Sequence, residues 1–202
     1  MITTSLALLF AAAYLAGSVP FAIVSSRLFG LDDPRSYGSG NPGATNILRS
    51  GSKAAAALTL AGDCFKGWLA VWAAFALGFD ALTAALAGLA AFVGHAFSIF
   101  LRFKGGKGVA TALGALLGIN VILAFGCLSV WLLVALASRY SSMASLVAAA
   151  AAPVIAVFVT GDLALAAIVL LIAAILAWRH APNIKQILSG TEKKIGAGKC
   201  GV

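Results

Sequence analysis

The sequence predicts an all-α integral membrane protein with about seven transmembrane helices. Of its 202 residues, 62% are hydrophobic and only 10% are charged, and its mean hydropathy is +1.04. Soluble domains carry roughly 25% charged residues, whereas long apolar runs with few charges are typical of membrane proteins. No polar stretch is long enough to fold by itself, so we expect residues 1–202 to form a single membrane-embedded domain.

Seven apolar segments account for these helices. A helix rises about 1.5 Å per residue, so about 20 apolar residues cross the hydrocarbon core. The stretch 109–138 is too long for one modestly tilted crossing, and Gly118-Ile-Asn120 offers a place to divide it. The segments are 4–27, 54–79, 81–101, 109–119, 121–138, 142–160 and 163–178.

The positions of Lys and Arg favour two crossings in 109–138 over one. With two crossings, nearly all 14 basic residues lie at or near one membrane face, and Asp80 and Asp162 lie at the other. The positive-inside rule assigns the basic face to the cytoplasm. We therefore expect the N-terminus outside, the C-terminus in the cytoplasm, and three polar loops together on the cytoplasmic face.

The first polar loop, residues 37–49, is the longest non-apolar interval and reads Tyr-Gly-Ser-Gly-Asn-Pro-Gly-Ala-Thr-Asn-Ile-Leu-Arg. Glycine lets successive backbone N–H groups form concave nests that bind anions. Arginine adds a planar fork that matches phosphate oxygens. Considered alone, the loop is also compatible with a plain Gly-rich turn between two membrane helices.

The second and third polar loops, residues 103–108 and 179–185, favour anion binding. Phe-Lys-Gly-Gly-Lys-Gly resembles a phosphate-binding loop before a helix N-terminus, although a flexible basic turn is the alternative. Gly108 stands where a Walker A loop has Ser or Thr, so neither nucleotide nor magnesium is implied. In the third loop, Arg-His-Ala-Pro-Asn-Ile-Lys, we expect His180 to lie near water at a membrane boundary.

Three ionisable residues lie inside apolar segments. Asp63 and Lys66 are three residues apart on one helix face, and ionisable groups at that depth tend to be paired and functional. An ion pair that fixes helix packing is the simpler interpretation. We expect His95 to be a packed or interfacial histidine rather than a catalyst.

Four motifs occur in order along the chain: Gly17-Ser-x-Pro20; Asp33-x-Arg35-x-x-Gly-Ser-Gly-Asn-x-Gly-Ala-Thr-Asn46-x-x-Arg49; Phe103-x-Gly-Gly-Lys-Gly-Val-Ala-Thr111; and Arg179-His-x-x-Asn183-Ile184 with Gly190-x-Glu192-x-Lys194. Together they resemble the bacterial glycerol-3-phosphate acyltransferases that use acyl phosphate in membrane phospholipid synthesis. The resemblance extends over nearly the whole chain.

The resemblance implies transfer of a fatty acyl group from acyl phosphate to the 1-hydroxyl of sn-glycerol 3-phosphate. The products would be lysophosphatidic acid and inorganic phosphate, in the first committed step of phospholipid synthesis. It also implies a multi-pass protein of the bacterial cytoplasmic (inner) membrane whose active site faces the cytoplasm. The implied partners are both substrates, membrane lipid and, as an open alternative, the soluble enzyme that makes acyl phosphate.

The resemblance also implies roles for individual residues. Glu192 would anchor the last loop. The catalytic set is Ser39, Arg49, Lys107, His180 and Asn183, and the substrate-binding set is Gly40, Asn41, Gly43, Thr45, Asn46, Lys104, Gly105, Gly106 and Gly108.

The chemistry of a mixed anhydride favours direct attack without an acyl-enzyme. Arg49 and Lys107 would hold phosphates and offset charge on the leaving group, and Ser39 with Asn41 or Asn46 would orient the reactants. Two bases stay open, namely His180 and the acceptor's own phosphate. A covalent Ser39 is less favoured because no adjacent base is evident.

Other chemistry and other functions are less well supported. The His-x4-Asp dyad of thioester-using glycerolipid acyltransferases is absent, and the few acids and three scattered cysteines predict no metal and no cofactor. The net charge of +8 fits cytoplasmic loops and anionic ligands rather than nucleic acid. An organophosphate transporter and a lipid-binding scaffold without chemistry remain as alternatives.

Overall fold

The computed structural model describes residues 2–195, and all of the regular structure among them is helical. The predicted all-helical fold is therefore confirmed, and each of the seven apolar segments is helical. A short 3-10 helix, Ile99–Leu101, follows the fifth α-helix. The α-helices are α1 Ile2–Ser18, α2 Phe21–Leu28, α3 Ala44–Leu48, α4 Lys53–Ala76, α5 Ala81–Ala96, α6 Val109–Ile119, α7 Val121–Ser138, α8 Ser141–Thr160, α9 Leu163–Arg179 and α10 Ala181–Leu188.

Four to six of the described elements have the length and composition to cross a membrane. Four do so singly: α4, α7, α8, and α5 together with its 3-10 extension (Ala81–Leu101). Two bent pairs add two more, α1 with α2 at 40° and α9 with α10 at 59°. Helix α6, with 11 residues, falls below the length of a span, so seven crossings stay a prediction.

The predicted first segment, 4–27, is not one continuous helix. Helix α1 ends at Ser18, and α2 begins at Phe21. Proline lacks an N–H donor and its ring clashes with the preceding turn, and the residue before it is driven out of the helical conformation. Pro20 therefore breaks the segment, and the two helices meet at an angle of 40°.

The predicted division of 109–138 is confirmed at Asn120. Its backbone is extended, with φ −159°, and its side-chain Oδ1 accepts the N–H groups of Ile122 and Leu123 at 2.9 and 3.1 Å. This is an N-cap, which satisfies donors that a new helix leaves free. Helices α6 and α7 pack against each other, so the chain goes out along α6 and returns along α7.

The ends of α7 and α8 lie beside the polar loops. The backbone N–H of Ile195 donates to the carbonyl of Arg139 at 2.7 Å, and the hydroxyls of Thr45 and Ser141 are 3.3 Å apart. Both contacts bring the α7–α8 connection to the end of the bundle that holds the first polar loop. The outward and return path of α6 and α7 thus brings the chain back to its polar end.

Glycine allows α4 and α6 to touch along their backbones. A Cβ added to Gly67 would lie 2.1 Å from the carbonyl oxygen of Thr111, and one added to Gly114 would lie 1.8 Å from that of Cys64. Only glycine fits at such distances, as in the small-residue interfaces of membrane helices. The outer surface carries large exposed apolar side chains, such as Leu136 and Phe158, as expected of helices that face lipid.

Candidate active site

A cavity of about 1040 Å³ lies where the three polar loops meet. The loops come from distant parts of the chain, and the structure brings residues of all three into one wall. The polar lining residues that the sequence analysis named are Ser39, Asn41, Gly43, Thr45, Asn46, Arg49, Lys107, Gly108, His180, Asn183 and Glu192.

The remainder of the cavity is apolar and extends between α4, α6, α7, α8 and α9. Its wall includes Leu60, Leu116, Ala149 and Ile172. It also reaches Cys64, twelve residues along α4 from the N-cap Ser52, which is about 18 Å at 1.5 Å per residue. That depth exceeds half of a hydrocarbon core of about 30 Å. A cationic mouth with a long apolar extension has the shape of a site for an anionic amphiphile.

Asn46 organises the first polar loop from within. It is buried at 2% exposure, its Oδ1 accepts the backbone N–H of Ser39 at 2.9 Å, and its Nδ2 donates to the carbonyls of Pro34 and Tyr37 at 2.6 and 3.2 Å. Gly38 has φ +63°, and a Cβ there would lie 2.2 Å from Asn46 Oδ1. Asn46 therefore braces the loop that presents Ser39, and its amide is already occupied.

An exposed ion pair stabilises the turn that precedes this loop. Arg35 Nη2 lies 2.6 Å from Asp33 Oδ2, and the hydrogen bonds from Arg35 hold the pKa of Asp33 below its ordinary value. The pair is half exposed, so its contribution to stability is small. Its effect is local, because it fixes the turn that leads into Tyr37.

The second polar loop does not bring all of its residues to the cavity. Arg179 donates from Nη2 to the carbonyl of Gly105 at 2.7 Å and from Nε to that of Gly106 at 3.2 Å. The N–H of Gly106 donates to the carbonyl of His95 at 3.1 Å. This glycine pair therefore packs against the end of α5, and protein groups engage both of its carbonyls and the N–H of Gly106. Four residues of the predicted substrate-binding set lie outside the cavity lining: Gly40, Lys104, Gly105 and Gly106.

Lys107, in contrast, lines the cavity. Burial lowers its pKa to about 8, with Arg49 and Arg179 acting in the same direction and Glu192 against them. A buried cation beside another cation is costly unless an anion joins them. Arg49 and Lys107 therefore concentrate positive charge on the polar part of the cavity lining.

His180 follows α9 and is 2% exposed, although it borders the cavity. Its Nδ1 lies 2.8 Å from the carbonyl of Leu176, so the neutral imidazole donates from Nδ1 and keeps Nε2 as an acceptor. Burial, together with the positive charge of Lys107, lowers its pKa to about 4. The imidazole is therefore neutral near pH 7.

Glu192 joins the third polar loop to α8. Asn183 Nδ2 donates to both of its carboxylate oxygens at 2.9 and 3.0 Å, and Ser142 Oγ donates to Oε1 at 2.7 Å. This geometry supports the predicted role of Glu192 as an anchor. Sequence reasoning missed Ser142, although the Ser-Ser pair at the start of the sixth apolar segment was a signal of polar contacts there.

Other cavity residues were also missed. Trp131 lines the apolar part, and its Nε1 donates to Ser145 Oγ at 3.0 Å. Asp63 and His95 border the cavity as well, so His95 is packed, as predicted, but not remote from the site. Within residues 2–195, no group of three or more His, Cys, Asp or Glu side chains is arranged to hold a metal ion.

Comparison with known sequences gives one consistent family. A family model described as glycerol-3-phosphate acyltransferase matches residues 7–190. The glycerol-3-phosphate acyltransferase of Aromatoleum aromaticum is 65% identical over 192 residues, which are 95% of this chain and 98% of that protein. The one of Paraburkholderia phytofirmans is 53% identical over 191 residues, covering 93% of this chain and 89% of that protein.

Comparison with solved structures gives the same result. Two crystal structures of PlsY (YgiH), an integral membrane glycerol 3-phosphate acyltransferase, are 36% identical to this chain. The glycerol 3-phosphate form matches with a TM-score of 0.88 and the lysophosphatidic acid form with 0.87, each over 95% of this chain and 96% of that one. The predicted integral membrane character is confirmed by this match.

Proposed function

This chain belongs to the glycerol-3-phosphate acyltransferase family and is an integral membrane enzyme of phospholipid synthesis, and we propose that its acyl donor is acyl phosphate. It moves the fatty acyl group to the 1-hydroxyl of sn-glycerol 3-phosphate and releases inorganic phosphate. The observation that carries this proposal is one cavity whose lining combines cations from two polar loops, Arg49 and Lys107, with a deep apolar extension.

The cavity suits a donor whose phosphate is attached directly to the reacting carbonyl. In acyl phosphate the charged phosphate is joined to the carbonyl carbon through a single bridging oxygen, and the alkyl chain begins on the other side. With the chain in the apolar extension, the phosphate falls at Arg49 and Lys107, and the carbonyl lies between the two regions. Charged hydrogen bonds to phosphate are among the strongest that side chains make, so these cations stabilise the leaving group as it departs.

We infer direct transfer. The hydroxyl oxygen of the acceptor attacks the carbonyl carbon, the bond from that carbon to the phosphate oxygen breaks, and inorganic phosphate leaves with the electron pair. In the described part of the chain, Ser39 Oγ has no hydrogen bond to a histidine or a carboxylate. A covalent serine needs such a base to activate it, so this arrangement favours the acceptor over Ser39 as the nucleophile.

The acceptor's own phosphate is the base that we favour. A general base works best when its pKa lies near the operating pH, and burial holds the pKa of His180 down at about 4. A phosphate monoester has a second pKa near 6, which is closer to neutrality. His180 then orients a substrate group through Nε2 rather than removing the proton.

The direction of the site across the membrane is part of the same proposal. We infer that residues 1–202 form one domain of the bacterial inner membrane, crossed seven times, with the cavity mouth facing the cytoplasm. The α6–α7 hairpin supports this, because it returns the chain to the end of the bundle where the basic loops gather. The donor then enters from the bilayer and the acceptor from the cytoplasm. A soluble enzyme that makes acyl phosphate is the proposed supplier of the donor.

The donor is tested with purified protein in a lipid mesophase. Palmitoyl phosphate and palmitoyl-CoA are compared, each with glycerol 3-phosphate, and lysophosphatidic acid and inorganic phosphate are measured. We expect equal amounts of both products from palmitoyl phosphate, no turnover of palmitoyl-CoA, and loss of activity in Arg49→Ala. Turnover of palmitoyl-CoA alone would overturn the assignment of the donor.

A further inference from the structure

Three buried ionisable side chains lie beneath the second polar loop, and the proposed reaction does not use them. The predicted ion pair of α4 is confirmed, with Lys66 Nζ 2.7 Å from Asp63 Oδ1. His95 of α5 places Nδ1 3.4 Å from the same oxygen. All three residues are 3 to 8% exposed. Burying charge inside a membrane protein is costly, and such groups are functional candidates by default.

On one side, this cluster is fastened to the break between α1 and α2. Lys66 Nζ donates to the carbonyl of Val19 at 2.8 Å, and its ammonium lies 5.9 Å from the centre of the Phe21 ring. The Val19 carbonyl is free for this bond because Val19 lies in the break between α1 and α2, where the N–H of Ile23 bonds the carbonyl of Pro20 instead. The carboxylate of Asp63 is therefore held by a lysine that is itself fixed to a rigid bend.

On the other side, the cluster touches the second polar loop through His95. The carbonyl of His95 accepts the N–H of Gly106 at 3.1 Å. Its imidazole packs edge-on against the same glycine, since a Cβ added to Gly106 would lie 2.2 Å from Nε2. Across the loop, Arg179 donates to the carbonyls of this Gly-Gly pair and stacks 5.6 Å from the Phe97 ring. The loop is thus gripped between the ends of α5 and α9.

Lys107 directly follows the Gly-Gly pair that α5 and α9 hold, and it lines the cavity. A rotation of the imidazole would move Gly106, and the displacement would pass directly to Lys107. Misplacement of a binding group by about 1 Å can cost on the order of 100-fold in rate. The orientation of the His95 ring therefore bears on where the cation of the site stands.

We propose that Asp63 is a positioning residue. Its carboxylate holds the His95 imidazole against Gly106 and so sets the place of the Lys107 ammonium in the cavity, while Lys66 holds the carboxylate. This rests on the proposed function only in that phosphate is the ligand of Lys107; the geometry of the grip does not depend on it.

The test compares Asp63→Asn and His95→Gln with a matched control, Thr59→Val. Thr59 is also buried on α4, and its hydroxyl lies 2.5 Å from that of Ser25 on α2, so the control loses a buried hydrogen bond to α2 and leaves the Asp63–His95 contact in place. Each variant is measured for thermal unfolding, for kcat and KM with glycerol 3-phosphate, and for the rate at which an amine-reactive reagent labels Lys107. Labelling of exposed Lys104 is the internal reference.

We expect Asp63→Asn and His95→Gln each to change the labelling rate of Lys107 at least threefold and to lower kcat/KM by about 10- to 100-fold. Thr59→Val should leave the labelling of Lys107 unchanged at a comparable loss of thermal stability. Unchanged labelling in the first two variants, or an equal change in the control, would overturn the proposal. Labelling does not require turnover, so a wrong donor assignment would not be mistaken for a wrong positioning role.

The double variant Asp63→Asn with Lys66→Met guards against a folding defect. Replacing a buried ion pair by uncharged groups is often neutral for stability, whereas removing one partner is costly. We expect the double variant to fold and still to show the altered labelling of Lys107. Failure of every variant of this cluster to fold would overturn the proposal, because the cluster would then act on the whole bundle.

Discussion

The alkaline limit of catalysis is expected to come from Lys107. Burial in the cavity wall lowers its pKa from an ordinary value of 10.5 to about 8, and only the ammonium form attracts phosphate. The protonated fraction then falls from about nine tenths one unit below this pKa to about one tenth one unit above it. Because kcat/KM reports the free enzyme, we expect it to fall about tenfold between pH 7 and pH 9.

The assay is the initial rate of phosphate release at low substrate concentration from pH 6 to pH 10. Lys107→Arg retains its charge over that range, so its alkaline limb should disappear even if its maximal rate is lower. Lys104→Ala changes an exposed lysine of the same loop that lies outside the cavity lining, and its profile should match that of the unaltered protein. An alkaline limb near pH 8 that survives in Lys107→Arg would show that a group other than Lys107 sets the alkaline limit.

Three further changes test other parts of the structure. Burial depresses the pKa of His180 to about 4, so its contribution to folding stability is present above pH 6.5 and is lost as the pH falls toward 4. His180→Gln should therefore flatten the dependence of the unfolding temperature on pH between 6.5 and 4. An unchanged dependence would show that His180 does not cause it. Gly114→Ala places a methyl group 1.8 Å from a carbonyl oxygen of α4 and should lower the free energy of unfolding by about 3 kcal/mol or more. Gly126→Ala places one 3.3 Å from a side chain and should lower it by under about 1 kcal/mol in the same denaturation assay. Equal losses of stability would be evidence against close backbone packing. Ala149→Phe fills the apolar extension and should lower kcat/KM at least tenfold for palmitoyl phosphate relative to decanoyl phosphate. Ala150→Phe changes a residue on the exposed side of α8 and should leave this ratio unchanged. Equal effects of the two variants would place the acyl chain elsewhere.

The helical segments could be predicted from the sequence because hydrocarbon imposes a simple rule. A crossing element must be apolar and must satisfy its own backbone hydrogen bonds, so composition and length suffice. The division at Asn120 was also predictable, since an asparagine between two apolar runs is a ready N-cap. The bend at Pro20 was missed, although proline is the usual cause of such breaks, because the apolar run continues through it.

Which loop residues face the cavity could not be read from the sequence. The Gly-Gly pair of the second polar loop looks like a phosphate nest, but its two carbonyls are bound by Arg179 and the N–H of Gly106 by the carbonyl of His95. Helix packing decides this, because a glycine that lets two backbones touch and one that exposes an N–H to an anion are the same residue type. The contribution of Ser142 from α8 was hidden for a similar reason, since it depends on which helix end meets Glu192.

Rapid-quench kinetics distinguish direct transfer from acyl phosphate to glycerol 3-phosphate from transfer through an acyl-enzyme. Enzyme in excess is mixed with palmitoyl phosphate labelled in the acyl group, with and without glycerol 3-phosphate, and phosphate, labelled lysophosphatidic acid and labelled protein are measured together. If transfer is direct, phosphate and lysophosphatidic acid form at the same rate, neither forms without the acceptor, and the protein stays unlabelled. A burst of phosphate without the acceptor, with label on Ser39, would contradict direct transfer.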